Sequence, residues 1–510
     1  MKLKRPDYKW LVAIAFVFGI FMDLMDITIV NVALPTLGRD FHASNASLEW
    51  VVTGYLLSLA IWIPASGWIG DRVGTKRVFV FALAMFIGSS ALCGLAWNTS
   101  SLITFRVLQG IGGGMMTPVG MTMLFRAFPP KERAQASIVV TIPTVIAPAI
   151  GPVLGGALVD YVGWRWIFFV NLPIGLAAIL FTLFFVRDDR EPHKGAFDVP
   201  GFVLSGAGLV LVLFALSRGP EAGWGSLAVV STGVVGVILL GAFVVAELRS
   251  KAPMLDLRLL GDHMFRNSNI VYFAAMAGLT GVLFLLPLYM QQLRGFSAIK
   301  TGLILMPTAV MVATLAPVSG RLYPRIGPKR MLAFAMSIFV ASSLLLLFVD
   351  LSTSTFWLVA ILAFRGVGMA FTFVPLQAAT FATIKPEDTG QASSIFNTNR
   401  QVASSVGVAL LATVLIQRTQ AHTADATANG LGASANAVAH AGVLGYHDAF
   451  FASAILGLIG LVFTLIIRDE DAAATMVRDS GETVSDVDEG SVVGLTVQTV
   501  ESHEQSVTSG

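Results

Sequence analysis

The sequence predicts an all-α polytopic membrane protein: two bundles of six helices, with two further helices inserted between them. Three observations predict it. Of the 510 residues 55% are hydrophobic and only 13% charged. The apolar residues fall in long blocks, and parts of the first half recur in the second at a nearly constant offset. A soluble domain spends about a quarter of its residues on charge, so this chain cannot coat several globular surfaces. A soluble enzyme, a disordered scaffold and a nucleic-acid binder are excluded as the main body. The single cysteine, Cys93, excludes a disulfide framework.

A bilayer core needs about 20 apolar residues per helix. Blocks of that length occupy 10–32, 49–69, 77–97, 101–125, 133–159 and 166–186, then 199–216 and 228–246. They resume at 266–290, 299–320, 330–350, 355–382, 392–416 and 448–467, which predicts fourteen spans. The first follows a basic stretch, yet its run is too long for a signal peptide. It also contains Asp23 and Asp26 and lacks a small-residue cleavage site, so it reads as a mature helix. Orientation follows from Lys and Arg. With the N-terminus inside, inner segments hold 24 of these residues and outer loops 6, while Arg106, Arg365 and Arg400 fall within spans. Both termini are therefore expected in the cytoplasm of a cell carrying this protein in its plasma membrane.

Two stretches depart from the apolar pattern. Residues 417–447, rich in Ala, Gly and His, read as a long flexible external loop. Residues 469–510 carry ten acids and one base, Arg478, and read as a disordered acidic cytoplasmic tail. The expected division is 1–190 for the first six-helix bundle, 191–255 for the inserted pair, 256–468 for the second bundle and 469–510 for the tail.

The repeat supports that division. Pro64-Ala-Ser66-Gly67 opens a segment ending at Lys76-Arg77, and Pro317-Val-Ser319-Gly320 opens one ending at Lys329-Arg330, at an offset of 253. Ala134-Gln-Ala-Ser137 recurs as Gly390-Gln-Ala-Ser393, and Phe105-Arg106 as Phe364-Arg365. Parallel halves of this kind imply a rocking-bundle transporter with its site between them.

Gly67-Trp-Ile-Gly70-Asp71-Arg72-Val-Gly74-Thr-Lys76-Arg77 resembles the signature loop of the major facilitator superfamily. Leu102, Arg106, Gln109, Gly110 and Gly112 are spaced like its fourth-helix motif. Ala147, Gly151, Pro152, Gly155 and Gly156 resemble its fifth-helix antiporter motif, with Ala147 in place of the usual first Gly. Asp26-Ile-Thr28-Ile-Val-Asn31-Val-Ala33-Leu-Pro35 and the stretch from Trp164 through Asn171 to Pro173 are similar to elements of the fourteen-span drug–proton antiporters of the EmrB/QacA type. The resemblance covers residues 10 to about 468 and implies the major facilitator fold. It also implies an inner gate at Gly67, Gly70, Asp71, Arg72, Gly74, Lys76 and Arg77, and a tightly packed seal at Gly151, Pro152, Gly155 and Gly156. In the second copy of the signature loop Pro324 replaces the Asp, so that half's latch is expected to be degenerate.

Asp23 and Asp26 are the acids expected deep in a span, and their i,i+3 spacing puts them on one helix face. Intramembrane carboxylates are costly and point to function. At ~1.5 Å per residue, Asp26 lies ~9 Å and Asp23 ~14 Å below the outer surface, with Arg106 ~7.5 Å deep. Arg106 and Asp26 are therefore expected to approach each other, and the resemblance gives the matching Arg a role in proton transfer. Arg365 and Arg400 lack evident acidic partners. Asn397, Gln401, Gln377, Asn399 and backbone carbonyls are candidates to bond them, in a polar site of the second half.

These residues lead to the expectation of a proton-coupled exporter of lipophilic, often cationic compounds. The partners expected are small molecules, protons and the lipid bilayer, without nucleic acid, in a monomer. The alternative on the same fold is export of an endogenous antibiotic, lipid or metabolite. No His is expected within a span, and no nucleophile–base pair, metal-ligand set or nucleotide-binding loop appears in the sequence. An enzyme, a metal and a cofactor are accordingly not expected.

Overall fold

The computed structural model describes residues 7–43, 45–188, 197–250, 253–296, 298–428 and 435–476, and every long element in them is helical. The first group is α1 (Tyr8–Phe41), α2 (Asn45–Val73), α3 (Thr75–Gly94), α4 (Thr99–Ala127), α5 (Arg133–Tyr161), the one-turn α6 (Trp166–Phe169) and α7 (Asn171–Phe185). A hairpin of α8 (Val199–Ala222) and α9 (Leu227–Arg249) follows. The last group is α10 (His263–Leu288), α11 (Ala298–Ile326), α12 (Pro328–Leu345), α13 (Thr355–Thr380), α14 (Thr389–Ala428) and α15 (Ala435–Ile466).

Short polar side chains start several of these helices by accepting from otherwise orphaned backbone N–H groups. Asn98 accepts from the Ser101 amide at 2.8 Å while Ser101 Oγ accepts from the Asn98 amide at 3.2 Å, a reciprocal cap on α4. Asp198 caps α8 through Gly201 N at 2.9 Å, and Asp262 caps α10 through Phe265 N at 2.8 Å. Gly74 and Gly327 precede α3 and α12 with φ of 109° and 86°, values that favour a residue without Cβ.

The residues through Met476 form one compact unit, and its helix pairing repeats. In the first group α1 packs on α5, α2 on α4, and α3 on α4 and α7; in the last, α10 packs on α14, α11 on α13, and α12 on α13 and α15. The groups meet where α5 lies on α11 and α13, and where α14 lies on α2 and α4. The largest apolar cluster crosses that junction, joining Phe16, Trp68, Met121 and Phe125 to Tyr272, Phe373, Phe381 and Phe396. Helix α8 leans on α2, with Trp62 against Phe202 at 5.3 Å between ring centroids, and also reaches α14.

Twelve helical stretches among the described residues are long and apolar enough to cross a membrane, against fourteen expected. The two absent from that set are α4 and α5, each 29 residues long. For α5 several residues have side chains outside the described residues; for α4 the reason is structural, since nearly every residue from Gln109 to Phe125 is buried against protein. A helix surrounded by other helices needs no apolar face for lipid.

Three expected boundaries move. The stretch 417–447, expected as a loop, is helical up to Ala428 and again from Ala435, because Ala is the best helix former; residues 429–434 lie outside the described residues. His422 consequently sits in α14, and His440 and His447 in α15, which begins earlier than the expected span. The acidic segment opens with an ordered 3-10 helix, Asp469–Thr475, so the ordered body runs to Met476 rather than to 468. The rest of the expected disordered tail, 477–510, lies outside the described residues.

Candidate functional site

Helix α1 places Asp23 and Asp26 one turn apart, both wholly buried. The two carboxylates have different company. Arg106 of α4 forms an ion pair with Asp26 through Nη1, and the same nitrogen donates to Gln109 Oε1 at 2.8 Å. Arg106 Nε donates to the Val51 carbonyl at 3.1 Å, and the guanidinium lies 4.2 Å from the Tyr55 ring centroid. The other oxygen of Asp26 accepts from Gln109 Nε2 at 3.1 Å and from Asn171 Nδ2 at 3.3 Å, and Asn171 is itself tied to Ser90 at 3.1 Å. Asp26 is thus a charge-compensated carboxylate with one cation and two amides around it.

Asp23 is held by hydroxyls instead. Tyr55 donates its phenol to Oδ1, and Thr117 donates to Oδ2 at 3.1 Å. Among the described residues no cation bonds it directly; Arg400 of α14 is near enough for electrostatic interaction. Gly113 makes the Tyr55 bond possible: a Cβ there would stand 2.6 Å from Tyr55 Oη and 3.1 Å from Asp23 Oδ1. A carboxylate whose only direct partners are rotatable hydroxyls can accept a proton without leaving a cation unpaired.

The glycines of α5 set how closely α1 approaches. A Cβ on Gly151 would overlap Thr28 Oγ1, and one on Gly155 would lie 2.8 Å from the Ile29 side chain, just beyond Asp26. Gly156 faces open space and takes no part in that contact. Pro152 falls within α5, but its side chain lies outside the described residues.

The signature loop divides into two jobs. Gly67 and Asp71 face the last helical group: Gly67 N donates to Ser394 Oγ at 2.9 Å, and a Cβ on Gly67 would overlap the Gly390 carbonyl. Asp71 is fully buried, accepts from Arg126 Nη2 at 2.8 Å, and lies against Gly390 near the start of α14. Arg126 also donates to the Pro386 carbonyl at 3.1 Å, and Arg133 to the Ile384 carbonyl at 3.1 Å, so this end of the molecule is closed. Gly70 is in ordinary contact with Val119, and Arg72 covers the Trp68 ring at 5.3 Å. Gly74, Lys76 and Arg77 bind inside the first group. Arg77 pairs with Asp188 at 2.9 Å beside Gly74, and Lys76 donates to the Leu183 carbonyl at 2.8 Å.

A family-level comparison decides what this arrangement belongs to: residues 16–408 match the Major Facilitator Superfamily. The chain belongs to that superfamily. It is 35% identical over 396 residues to a multidrug resistance protein B homolog of Mycobacterium tuberculosis, covering 77% of this chain and 73% of that protein. It is 29% identical over 454 residues to the lincomycin resistance protein LmrB of Listeria monocytogenes, covering 89% and 96%. Among solved structures, the human organic anion transporter MFSD10 (TETRAN) superposes with a TM-score of 0.66 at 16% identity, covering 90% of this chain and all of that one. The protein is thus a multi-pass membrane protein of a transporter superfamily, and not of an enzyme family.

In this superfamily member the polar residues expected to form one site in the second half do not converge. Arg365 is buried but bonds neither Asn nor Gln; it donates to Ser343 Oγ at 3.0 Å, Ser342 Oγ at 3.4 Å and the Gly278 carbonyl at 3.3 Å, and stacks 4.3 Å from the Phe339 ring centroid. Asn397 turns back to the Ser393 carbonyl at 2.8 Å and touches Met121 Sδ at 3.5 Å. Arg400 lies within electrostatic reach of Asp23, while Gln401 lines a small cavity with Ala60, Ile63 and Leu209 where α2, α8 and α14 meet. Asn399 donates to the Asn269 carbonyl at 2.9 Å. These residues belong to two helices, α13 and α14, and within α14 the consecutive Arg400 and Gln401 point about 100° apart.

Sequence reasoning missed Tyr55 and Thr117 as partners of Asp23, and Gln109 and Asn171 as partners of Asp26. Gln109 and Asn171 stood inside recognised motifs, which was a usable signal. Glu247 was also missed: the span expected to end at 246 continues, and α9 buries this acid with Oε2 accepting from Leu255 N at 3.4 Å.

Proposed function

We propose that this protein is a proton-coupled exporter that moves lipophilic, often cationic compounds out of the cell in exchange for protons by alternating access. One observation carries the proposal: Asp23, buried and bonded among the described residues only by hydroxyls, stands one turn from the ion-paired Asp26. Asp23 is the group free to load and release a proton. The Asp26–Arg106 pair, fixed by Gln109 and Asn171, anchors α1 to α4 and sets the field in which Asp23 titrates. A lipophilic cation and a proton then compete for the same carboxylate, and occupancy by one favours release of the other. The resistance-protein names of the bacterial relatives support a drug-like substrate.

In this reading α4 and α5 also cross the bilayer, giving the fourteen spans of the EmrB/QacA type, with both termini in the cytoplasm and the plasma membrane as its location. The first bundle is 1–190, the inserted pair 191–255 and the second bundle begins at 256. Gly67 and Asp71 close the cytoplasmic gate across the halves, while Gly74, Lys76 and Arg77 stiffen one side of it. Gly151 and Gly155 hold α5 against α1 above the acids and restrict proton leak. The protein works as a monomer.

The test is flux in liposomes under an imposed pH gradient, with a panel of cationic dyes and lipids. Gradient-driven movement is expected to fall at least tenfold, ~1.4 kcal/mol in barrier terms, in Asp23→Asn and in Asp26→Asn. Movement indifferent to the gradient and to both substitutions would end the proposal.

A further inference from the structure

The second copy of the signature loop lacks the gate acid, because Pro324 stands in its place. The structure puts another segment at that end. Asp469, just past the end of α15, accepts from the Lys329 amide at 2.9 Å at the start of α12. It lies so close to Gly327 that a Cβ there would come within 2.8 Å of the carboxylate carbon. An anion at a helix N-terminus is favoured by the free N–H groups and the helix dipole. The first half has a counterpart, Asp188 beside Gly74 at the start of α3, so this carboxylate belongs to the repeat.

Among the described residues, those beyond Asp469 have no such counterpart in the repeat. The 3-10 helix Asp469–Thr475 buries Ala472 and Thr475, and Thr475 Oγ1 bonds the hydroxyl of buried Tyr323 at 2.8 Å. Tyr323 sits in an apolar cluster with Met331 and Ala378 of the second half and Ala134 of α5. The same 3-10 helix packs on the turn Pro130–Glu132 of the first half, and that turn is held in place by Lys9, whose ammonium meets Glu132 at 2.7 Å. Met476 closes the segment against the large cluster that crosses the junction. The segment is bonded to α11 and α12 and rests on the α4–α5 turn, so it touches both halves at the end where the gate is closed.

We propose that residues 469–476 are a clasp: a C-terminal segment that stabilises the closed state of the gate and must leave the α4–α5 turn before that end opens. This rests on the alternating-access reading above. The clasp takes over, from the tail, the closing role that Pro324 has removed from the second half's loop. Its partner is the chain's own Pro130–Glu132 turn together with Tyr323.

Pulsed electron–electron distance measurements across the gate test it. Spin labels go on exposed positions of the two halves, Val73→Cys and Glu387→Cys, in a Cys93→Ser background. Deleting residues 477–510 should leave the short, closed-gate distance dominant. Deleting 469–510 should raise the long-distance population at least threefold. The full-length double variant Asp469→Asn, Tyr323→Phe reads the same distance without truncation and should show a smaller rise in the same direction. Equal distributions for the two truncations, or an unchanged distribution in the double variant, would overturn the clasp. The measurement needs no substrate and no gradient, so its failure is distinct from a failure of the exchange reaction in liposomes.

Discussion

Arg106 and Arg365 occupy corresponding places in the two halves, each following a Phe and each buried. Arg106 finds a carboxylate, Asp26, with Gln109 beside it. Arg365 finds two serine hydroxyls, a backbone carbonyl and the face of Phe339. The same structural position has therefore been kept in both halves while its chemistry has separated. The first half holds a balanced ion pair next to a second, more loosely held acid. The second half holds a cation whose neutral ligands cannot take up or release charge. Under the proposed exchange reaction, the proton chemistry sits in one bundle and the other supplies a fixed electrostatic background, with Arg400 near enough to Asp23 to act on it electrostatically.

Breaking the ion pair should have the largest effect. Arg106→Met strands a buried carboxylate, at about 3–5 kcal/mol, and gradient-driven flux should fall more than tenfold. Adding Asp26→Asn to it should restore thermal stability in detergent without restoring flux, because the stranded charge is gone but the anchor for α1 is not rebuilt. Arg106→Met with the flux and pH response of the parent protein would break the contrast between the halves.

Arg365→Met should do much less. It removes three hydrogen bonds from a charged group, each worth about 1.5–3 kcal/mol, but it also removes the desolvation cost of the buried cation itself, and the serines can turn to other acceptors. Flux should stay gradient-dependent and within about tenfold of the parent, ~1.4 kcal/mol. A loss of coupling as deep as that of Arg106→Met would mean that the second half also carries protons.

A finer test concerns Asp23 alone. Tyr55→Phe deletes one donor to this carboxylate, and hydrogen bonds to charged groups are worth about 1.5–3 kcal/mol. Gly113→Ala pushes a methyl group between the same two side chains. Both should displace the pH profile of flux, in the same direction, and the double variant should differ little from either because they act on one contact. Profiles displaced in opposite directions would separate Gly113 from the Tyr55–Asp23 bond.

Residue type explains why part of this arrangement is legible in the sequence. Charged residues are rare within apolar blocks, so Asp26 and Arg106 can be matched by depth along their helices. Tyr and Thr are ordinary in helices of any kind, so nothing singles out Tyr55 or Thr117 as partners of Asp23. Depth along one helix also says nothing about which way a side chain turns, which is why Arg365, Asn397, Arg400 and Gln401 group together in the sequence although they diverge in the fold. The segment 417–447 reads as a loop for a related reason: Ala lowers hydropathy relative to Leu or Val while raising helix propensity. The docking of Asp469–Thr475 is beyond reach, since charge density alone describes that segment as a solvated tail.

Two interhelical turns, one in each half, give the smallest and cleanest version of the same contrast. Between α3 and α4 the turn is organised by Asn98 with Ser101, neither of which titrates in the accessible range. Between α12 and α13 the turn is organised by Asp350, whose Oδ1 accepts from Ser352 Oγ at 2.7 Å, Ser352 N at 2.8 Å and Thr353 Oγ1 at 2.9 Å. These bonds, with those from Ser352 the strongest, hold the Asp350 carboxyl down at about 2. An unfolded Asp titrates near 3.9, so the folded value is the depressed one. The turn's contribution is therefore fully present above about pH 4–5 and is lost as pH falls toward 2. The protection of the amides of residues 350–354, relative to their intrinsic exchange rates, should drop over that fall in the parent protein, while residues 97–101 keep theirs. In Asp350→Asn the protection of these amides, relative to their intrinsic exchange rates, should stay at one level across the whole range, since the Asn side chain cannot titrate. A parallel loss of protection in both turns would show instead that acid loosens this part of the protein as a whole, and that Asp350 is not what makes one turn pH-sensitive and the other not.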